Sequence, residues 1–219
     1  MPETTQEQES PKVYNDPISV AKRTTQKLHL CSQGDKSTML EQIIRSSNKP
    51  QAIVVTKTKR TADTLATYLQ TRDINAVAIH SNSGKKVCEA GAKAFNEGEI
   101  DILITTDMIL QSLELIPITN MLSFDLPIEP EHYLYRMGCV SEEGEAIALV
   151  SDEEETLLFH IERTMRDEIA QEELEGFVPT VSDDKPQQTV KSQKKKPRHK
   201  KQKSKNKEKK ESSSEDTQS

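Results

Sequence analysis

The sequence predicts an α/β fold in which a parallel sheet lies between two layers of helices. Short apolar segments rich in β-branched residues recur along the chain, and segments with helical periodicity separate them. This alternation is typical of a parallel sheet with helices on its faces. The apolar segments are continuous, which indicates strands that are buried on both sides. We therefore expect a three-layer α/β domain flanked by disordered tails.

Strands and helices follow one another regularly through the middle of the chain. The predicted strands are QAIVVT (51–56), AVAIH (76–80), DILITTD (101–107), NMLSFD (120–125) and EAIALVS (145–151). The predicted helices cover 59–71, 84–97, about 107–113, 130–137 and 152–169. The segment DKSTMLEQIIRS is a further, capped amphipathic helix, because its apolar residues at 39, 40, 43 and 44 recur with helical spacing.

The segment SQGDKST, at 32–38, has some features of a phosphate-binding loop but does not meet the requirements for one. A phosphate loop has a glycine, four further residues and then Gly-Lys-Ser/Thr, whereas Lys36 follows Asp35. We also expect no strand of adequate quality to lead into it. The sequence therefore favours a helix start over a phosphate site.

Charge divides the chain into an acidic body and a basic tail. The formal net charge is −6, but residues 191–210 hold 12 Lys and Arg against one acid, a local charge of +11. The other 199 residues carry a formal charge of −17. Such a basic segment, with almost nothing apolar to bury, is expected to be disordered and to bind polyanions. We predict a flexible arm over 1–24, a domain over 25–171 and a disordered Lys-rich tail over 172–219.

Several classes of protein are disfavoured by composition. The three cysteines lie far apart, without metal-ligand spacing and without the even number of a disulfide framework. The N-terminus is polar and acidic, unlike a signal peptide. No apolar run approaches the ~18 residues of a membrane helix. We therefore predict no metal site, no membrane association and a cytoplasmic location.

Polar residues follow the predicted strands where ligands bind in open α/β sheets, outside the carboxyl ends. They include Thr58, His80, Thr106 with Asp107, and Asp125. Threonine hydroxyls and helix N-terminal amides suit phosphate oxygens. The alternative is structural, because Thr106 and Asp107 also suit the start of the next helix.

Four segments occur in order at natural spacing: AIVVTKTKRTADTLATYL, AIHSNSGKKVCEAGAKAFNEGEIDILITTD, LSFDLPIEPEHYLYRMG and GEAIALVSDEEE. Together they resemble the C-terminal RecA-like domain of the DEAD-box ATP-dependent RNA helicases. The resemblance covers roughly residues 25–170. It implies a RecA-like sheet, RNA contacts by Thr58 and Thr106, and a former nucleotide-side position for Glu114, Arg136 and Gly138. For Arg136, an ion pair with an acid and a phosphate contact remain alternatives.

The resemblance also identifies positions at which this sequence departs from the family. Cys88 stands where the family has an RNA-gripping arginine. Cys139 replaces a phosphate-binding arginine, Glu142 falls where the arginine finger would lie, and about three residues are deleted. An arginine finger accelerates phosphoryl transfer by ~10³ to 10⁵. These motifs are therefore degenerate, and we predict no catalytic residue in this chain.

The family's phosphate loop and metal-binding acids belong to a first domain, for which this sequence has no motif. The resemblance therefore implies no cofactor for this chain alone. ATP and Mg²⁺ are expected only if it pairs with a separate first helicase domain.

The principal hypothesis is a helicase-like, RNA-binding protein that is non-catalytic in RNA metabolism and that docks on a separate RNA-processing protein. RNA is expected to bind mostly through the tail. The candidate residues there are Lys194, Lys195, Lys196, Arg198, Lys200 and Lys201. Two alternatives remain open: the C-terminal half of a split ATP-dependent RNA helicase, and a decaying helicase fragment.

Overall fold

A computed structural model describes residues 19, 23–48 and 51–180 of the chain. The strands are β1 (Thr25–Leu30), β2 (Ala52–Thr56), β3 (Ala76–Ala78), β4 (Ile102–Thr106), β5 (Ile118–Ser123), β6 (Val140–Val150) and β7 (Ala170–Gln171). The helices are α1 (Lys36–Ser46), α2 (Lys59–Gln70), α3 (Lys85–Asn96), α4 (Asp107–Leu110), α5 (Pro130–Cys139) and α6 (Glu155–Met165). A 3₁₀ turn, Asp152–Glu154, precedes α6.

All strand pairs are parallel, in the order β3-β4-β2-β5-β6-β1-β7. The buried faces of α1 and α2 pack on one side of the sheet, where they share a core with Ala52 and Val54. The helices α3, α5 and α6 pack on the other side, in a core that includes Ile53 and Val55. The predicted three-layer α/β fold is therefore confirmed, and it explains the continuous apolar strands, since alternate residues of β2 enter different cores.

The expectation that no strand leads into residues 32–38 is wrong. β1 pairs with β6 along its whole length and with β7 on its other side. Its apolar signal is weak because Leu28 is its one buried hydrophobic residue, while polar side chains such as Lys27 and His29 occupy neighbouring positions. The helix that follows is confirmed as α1, with Met39, Leu40 and Ile43 buried.

Residues 172–180, which the sequence analysis assigns to the tail, lie against the domain. Leu174 and Phe177 pack on the core beside α1 and α2. The N–H of Glu172 donates to the carbonyl of Leu28, and the N–H of Thr180 donates to Asp35 Oδ1 at 3.1 Å. The folded part therefore continues past the predicted boundary at 171, because two apolar side chains beyond it have a core to enter. The rest of the predicted tail lies outside the described residues.

The helix α5 passes into β6 without an intervening loop. The pairing of β5 with β6 shifts register here, so that Ile118 faces Val140 and Asn120 faces Glu145. Gly144 lies within this shift, and a Cβ placed on it would come within 2.9 Å of the carbonyl oxygen of Ile118. The close backbone approach therefore requires glycine, and the junction is a compact structural element.

No helix among the residues described by the structure is both long and apolar enough to cross a bilayer.

Candidate functional site

The carboxyl ends of β2, β4 and β5 lie side by side at one edge of the sheet. Thr56 is paired with Thr106, and β5 lies on the other side of β2. The backbone N–H of Lys57 donates to Asp125 Oδ2 at 2.9 Å, which ties the end of β2 to that of β5. Because this edge is where open α/β sheets bind ligands, it is the first candidate site.

The two threonines predicted to contact RNA are both at this edge, but they differ in what their hydroxyls do. Thr58 is the N-cap of α2, and its Oγ1 accepts from the N–H of Thr61 at 3.1 Å. Thr106 precedes α4 and makes no capping hydrogen bond through its side chain. A contact between either threonine and RNA stays a prediction, and Thr106 has the hydroxyl that capping leaves unused.

A groove of about 410 Å³ opens at this edge. We call it the edge groove, defined by Lys57, Lys59, Ser81, Thr106, Asp107, Met108, Pro127, Ile128, Glu129 and His132. Its two lysines are exposed and flank Thr58 in the chain. These lysines are not among the predicted RNA-binding residues, although the alternation TKTK at 56–59 places a cation on each side of a predicted RNA contact.

Arg136, predicted to lie on a former nucleotide side, is completely buried. Its Nε and Nη2 donate to the two carboxylate oxygens of Asp107, each at 2.7 Å. Its Nη1 donates to Ser123 Oγ and to the carbonyl of Asp125, each at 2.9 Å. The guanidinium therefore makes four internal hydrogen bonds and joins α5 to the ends of β4 and β5. Of the two alternatives for Arg136, the structure displays the ion pair with an acid.

A second groove, of about 670 Å³, lies beside the passage from α5 into β6. We call it the junction groove. It is lined by Arg23, Leu110, Leu113, Leu115, Ile116, Pro117, Ile118, Thr119, Tyr135, Gly138, Cys139, Val140, Ser141, Glu142 and Glu143. Its lining is mainly apolar, and its charged residues are one arginine and two glutamates.

The junction groove contains the positions at which the resemblance expects phosphate-binding arginines. Burial raises the pKa of the Cys139 thiol above its ordinary value, so that this residue is neutral near pH 7. Glu142 is exposed in the groove. Arg23 donates to the carbonyl of Gly138 at 3.4 Å. The surface thus presents two carboxylates and one arginine where a triphosphate would require several cations.

The three residues predicted on the nucleotide side are not brought together. Arg136 is internal, and Gly138 lines the junction groove. Glu114 is exposed and lines a different cavity, of about 830 Å³, between α3 and the segment after α4. The assignment of Glu114, Arg136 and Gly138 to one nucleotide-side surface stays a prediction, and their separate locations do not favour it.

Cys88 lines that same cavity and is 9% exposed. Its thiol lies 3.9 Å from the carbonyl of His80. His80 Nδ1 accepts from the N–H of Asn82, so its Nε2 carries the proton in the neutral ring and donates to Asp63 Oδ1 at 2.8 Å. His80 therefore braces the loop before α3, while Cys88 leaves open space where an arginine side chain would extend.

A second buried basic side chain, Lys36, lies at the carboxyl edge, where the sequence does not predict it. Lys36 is fully buried, and its Nζ donates to the carbonyl of Phe124 at 2.8 Å and to Glu154 Oε2 at 2.5 Å. Asp125 Oδ1 lies 3.6 Å from the same ammonium. Burial acts to raise the pKa of Glu154, but the hydrogen bonds that it accepts, first from Lys36, outweigh this effect and hold the pKa below its ordinary value.

Glu154→Gln is expected to lower the free energy of unfolding at pH 7 by about 1.5–3 kcal/mol, since it removes a charged hydrogen bond. Glutamine can keep the capping box with Ser151 through its one oxygen, but its NH2 group then replaces the Oε1 that accepts from the N–H of Leu126, so the change removes an acceptor as well as the charge. A depressed carboxyl pKa contributes stability above the unfolded value of 4.5, and this contribution is lost as pH falls through the folded value. The difference in the free energy of unfolding between the wild type and Glu154→Gln should therefore shrink as the pH falls through the folded pKa of Glu154.

Urea denaturation at neutral and acidic pH measures this difference, with Glu153→Gln as the control at an exposed neighbour. A difference that is the same at both pH values would contradict the assignment.

Within residues 19, 23–48 and 51–180, no three His, Cys, Asp or Glu residues are grouped as a metal site requires. The predicted RNA-binding residues of the tail, Lys194 to Lys201, lie outside the described residues.

The chain is similar in sequence to the C-terminal domains of known helicases. The profile of the family described as "helicase conserved C-terminal domain" matches residues 35–140. The DEAD-box ATP-dependent RNA helicase CshA of Geobacillus kaustophilus is 36% identical over 118 residues, which are 52% of this chain and 25% of that protein. The chain spans between 25% and 30% of the length of this relative and of similar bacterial and plant proteins.

Two solved structures illustrate the likeness of fold. The Escherichia coli DEAD-box protein SrmB, bound to a regulator of ribonuclease activity, superposes with a TM-score of 0.68 at 20% identity, over 73% of this chain and 96% of that chain. The Saccharomyces cerevisiae protein Dbp5, bound to RNA and ADP BeF₃, superposes with a TM-score of 0.65 at 22% identity, over 69% of this chain and 42% of that one. At these identities the likeness establishes the fold alone.

Proposed function

Because residues 35–140 belong to the helicase C-terminal domain family, in the form found in DEAD-box RNA helicases, we propose that this protein is a non-catalytic, helicase-like RNA-binding protein. One observation carries the non-catalytic part. The junction groove holds a neutral Cys139 and an exposed Glu142 at the positions where the family resemblance implies phosphate-binding arginines. A carboxylate there repels the developing charge that phosphoryl transfer requires cations to stabilise.

The internal use of Arg136 supports the same conclusion. Its bidentate contact with Asp107 and its two further hydrogen bonds, to Ser123 and Asp125, are all internal to the domain. Turning it toward a phosphate would leave Asp107 without its charged partner at the sheet edge. Arg136 therefore stabilises the carboxyl edge by holding the ends of β4 and β5 together.

RNA binding is supported by charge on two parts of the chain. The tail carries 12 Lys and Arg between residues 191 and 210. The edge groove adds Lys57 and Lys59 beside Thr106. Because phosphate contacts supply most of non-specific nucleic-acid affinity, we propose that the tail provides most of the binding and the groove a smaller part.

The purified chain is expected to show no RNA-stimulated ATP hydrolysis above background, and none when a separate DEAD-box first domain is added. The physical reason is the shortage of cations in the junction groove. The measurement is phosphate release with and without single-stranded RNA, with a complete DEAD-box helicase as the positive control. Turnover that Thr106→Ala abolishes would overturn the proposal, because the activity would then depend on this chain's own edge.

The split-helicase hypothesis is a second candidate, and Arg23 is the observation that favours it. This arginine lines the junction groove and supplies one cation from a different segment of the chain. Under this hypothesis ATP and Mg²⁺ bind only with a separate first domain. ATP hydrolysis restored by that domain, and lost again in Arg23→Ala, would support it.

We also propose that a separate RNA-processing protein is a partner and that the protein acts in the cytoplasm. A complex of the similar SrmB with a regulatory protein supports the first of these.

A further inference from the structure

The edge groove contains apolar side chains that a purely phosphate-binding surface does not need. Met108 is 71% exposed and Ile128 is 65% exposed, and both line this groove. His132, whose side chain is 38% exposed, lines it as well. Single exposed hydrophobic residues are normal on a protein surface, whereas grouped ones indicate an interaction site.

The backbone on which these apolar side chains lie is fixed by hydrogen bonds that neighbouring residues make with the rest of the domain. Met108 follows Asp107, whose two carboxylate oxygens accept from Nε and Nη2 of Arg136. Ile128 follows the buried Pro127, and the preceding Leu126 donates its N–H to Glu154 Oε1 at 2.9 Å. The groove therefore presents a preorganised apolar surface, so a ligand need not pay the cost of ordering the backbone.

The charges around this surface favour a polyanion. Lys57 and Lys59 are the cations that line the groove. The charge of Asp107 is compensated by Arg136, and Glu129 is the remaining acid, with its carboxylate 3.7 Å from His132 Nε2. Lysines beside an apolar surface match a ligand that alternates phosphates with planar, weakly polar groups.

We propose that the edge groove binds single-stranded RNA and that Met108, Ile128 and His132 form a platform for one unstacked base. Lys57 and Lys59 then contact the adjacent phosphates. The proposal rests on the proposed function, in which RNA is the ligand. It adds a base contact to the backbone contacts that the resemblance implies. Bases in an RNA duplex are stacked and paired, so a platform of this kind favours single strands.

The test compares the full-length wild type with the double variant Met108→Ser/Ile128→Ser. The probes are an oligouridylate of about 12 nucleotides and an RNA duplex of about the same length, measured by fluorescence anisotropy near 200 mM salt, where the contribution of the tail is smallest. The variant is expected to bind the single strand about tenfold more weakly and the duplex unchanged. Its salt dependence should not change, because no charge is altered.

Val87→Ser is the matched control, since Val87 is 56% exposed on α3 and lies outside the edge groove. A double variant that keeps the wild-type ratio of single-strand to duplex affinity would overturn the base platform. Failure of the proposed function has a different signature, because the wild type would then bind neither RNA.

A peptide of alternating Glu and Leu tests the other possible ligand of the edge groove, an acidic and apolar protein segment. If the wild type binds this peptide, the double variant does not, and single-strand affinity is the same in both, the groove is a protein-docking surface and the proposal fails. If the peptide does not bind the wild type and the single-strand affinity falls as expected, the base platform is supported.

Discussion

Replacing six of the 12 tail cations, Lys194, Lys195, Lys196, Arg198, Lys200 and Lys201, with glutamine is expected to remove about half of the salt dependence of single-stranded RNA binding. With six to ten phosphate contacts, the wild-type affinity should fall on the order of 10³–10⁵ between about 50 and 200 mM salt. The tail holds enough cations for such a number of contacts, whereas the remaining 199 residues have a formal charge of −17. The glutamine variant should show a salt slope reduced by about half, because the slope is proportional to the number of phosphate contacts.

Titration of single-stranded RNA at several salt concentrations measures both quantities. A chain that ends at residue 180 lacks all 12 Lys and Arg of residues 191–210, so its salt slope should fall further than that of the glutamine variant. It keeps the contact of Thr180 with Asp35. Binding should also be nearly independent of RNA sequence, because phosphate contacts carry no base information. An unchanged affinity and slope in both variants would assign RNA binding to the folded domain instead.

Asp107→Ala is expected to lower the free energy of unfolding by about 3–5 kcal/mol, because it leaves the charge of a buried arginine without its partner. Arg136 is 0% exposed, and two of its four hydrogen bonds end on this carboxylate. The double variant Asp107→Ala/Arg136→Met should be more stable than the single variant, since methionine fills similar volume without a charge to solvate.

Urea denaturation of the wild type, both variants and Asp152→Ala measures this coupling. Asp152 is the control because it is an exposed acid on the same domain. A loss below about 1 kcal/mol in Asp107→Ala would mean that the ion pair is not the main partner of Arg136. The arginine would then be available for the phosphate contact that the sequence leaves open.

Much of the fold could be predicted because its central strands enter two cores. The run AIVVT of β2 is apolar throughout, so its type and burial follow from composition alone. β1 was not predicted, because its sequence TQKLHL contains one buried hydrophobic residue, Leu28. The same limit applies to residues 172–180, where Leu174 and Phe177 are the isolated apolar residues that reach the core.

The candidate site divides in the same way. The positions of Thr58 and Thr106 at one edge follow from strand order, because carboxyl ends of parallel strands meet there. The partners of Arg136 and Lys36 could not be predicted. Lys36 reaches Glu154 across 118 residues, and Arg136 reaches Asp107 across 29. Neither spacing follows a helix or strand period, so the sequence has no local signal for these contacts.

By itself, the sequence determined the α/β class, the resemblance to helicase C-terminal domains, the charged tail and the presence of non-basic residues at Cys139 and Glu142, since each depends on residue type and order. Only the tertiary structure decided that Arg136 is an internal brace, that Glu114 lies apart from Gly138, and that Met108 and Ile128 share a groove with two lysines. The physical reason is that burial and contact depend on which distant segments the sheet order brings together, and side chains far apart in the chain carry no shared periodicity.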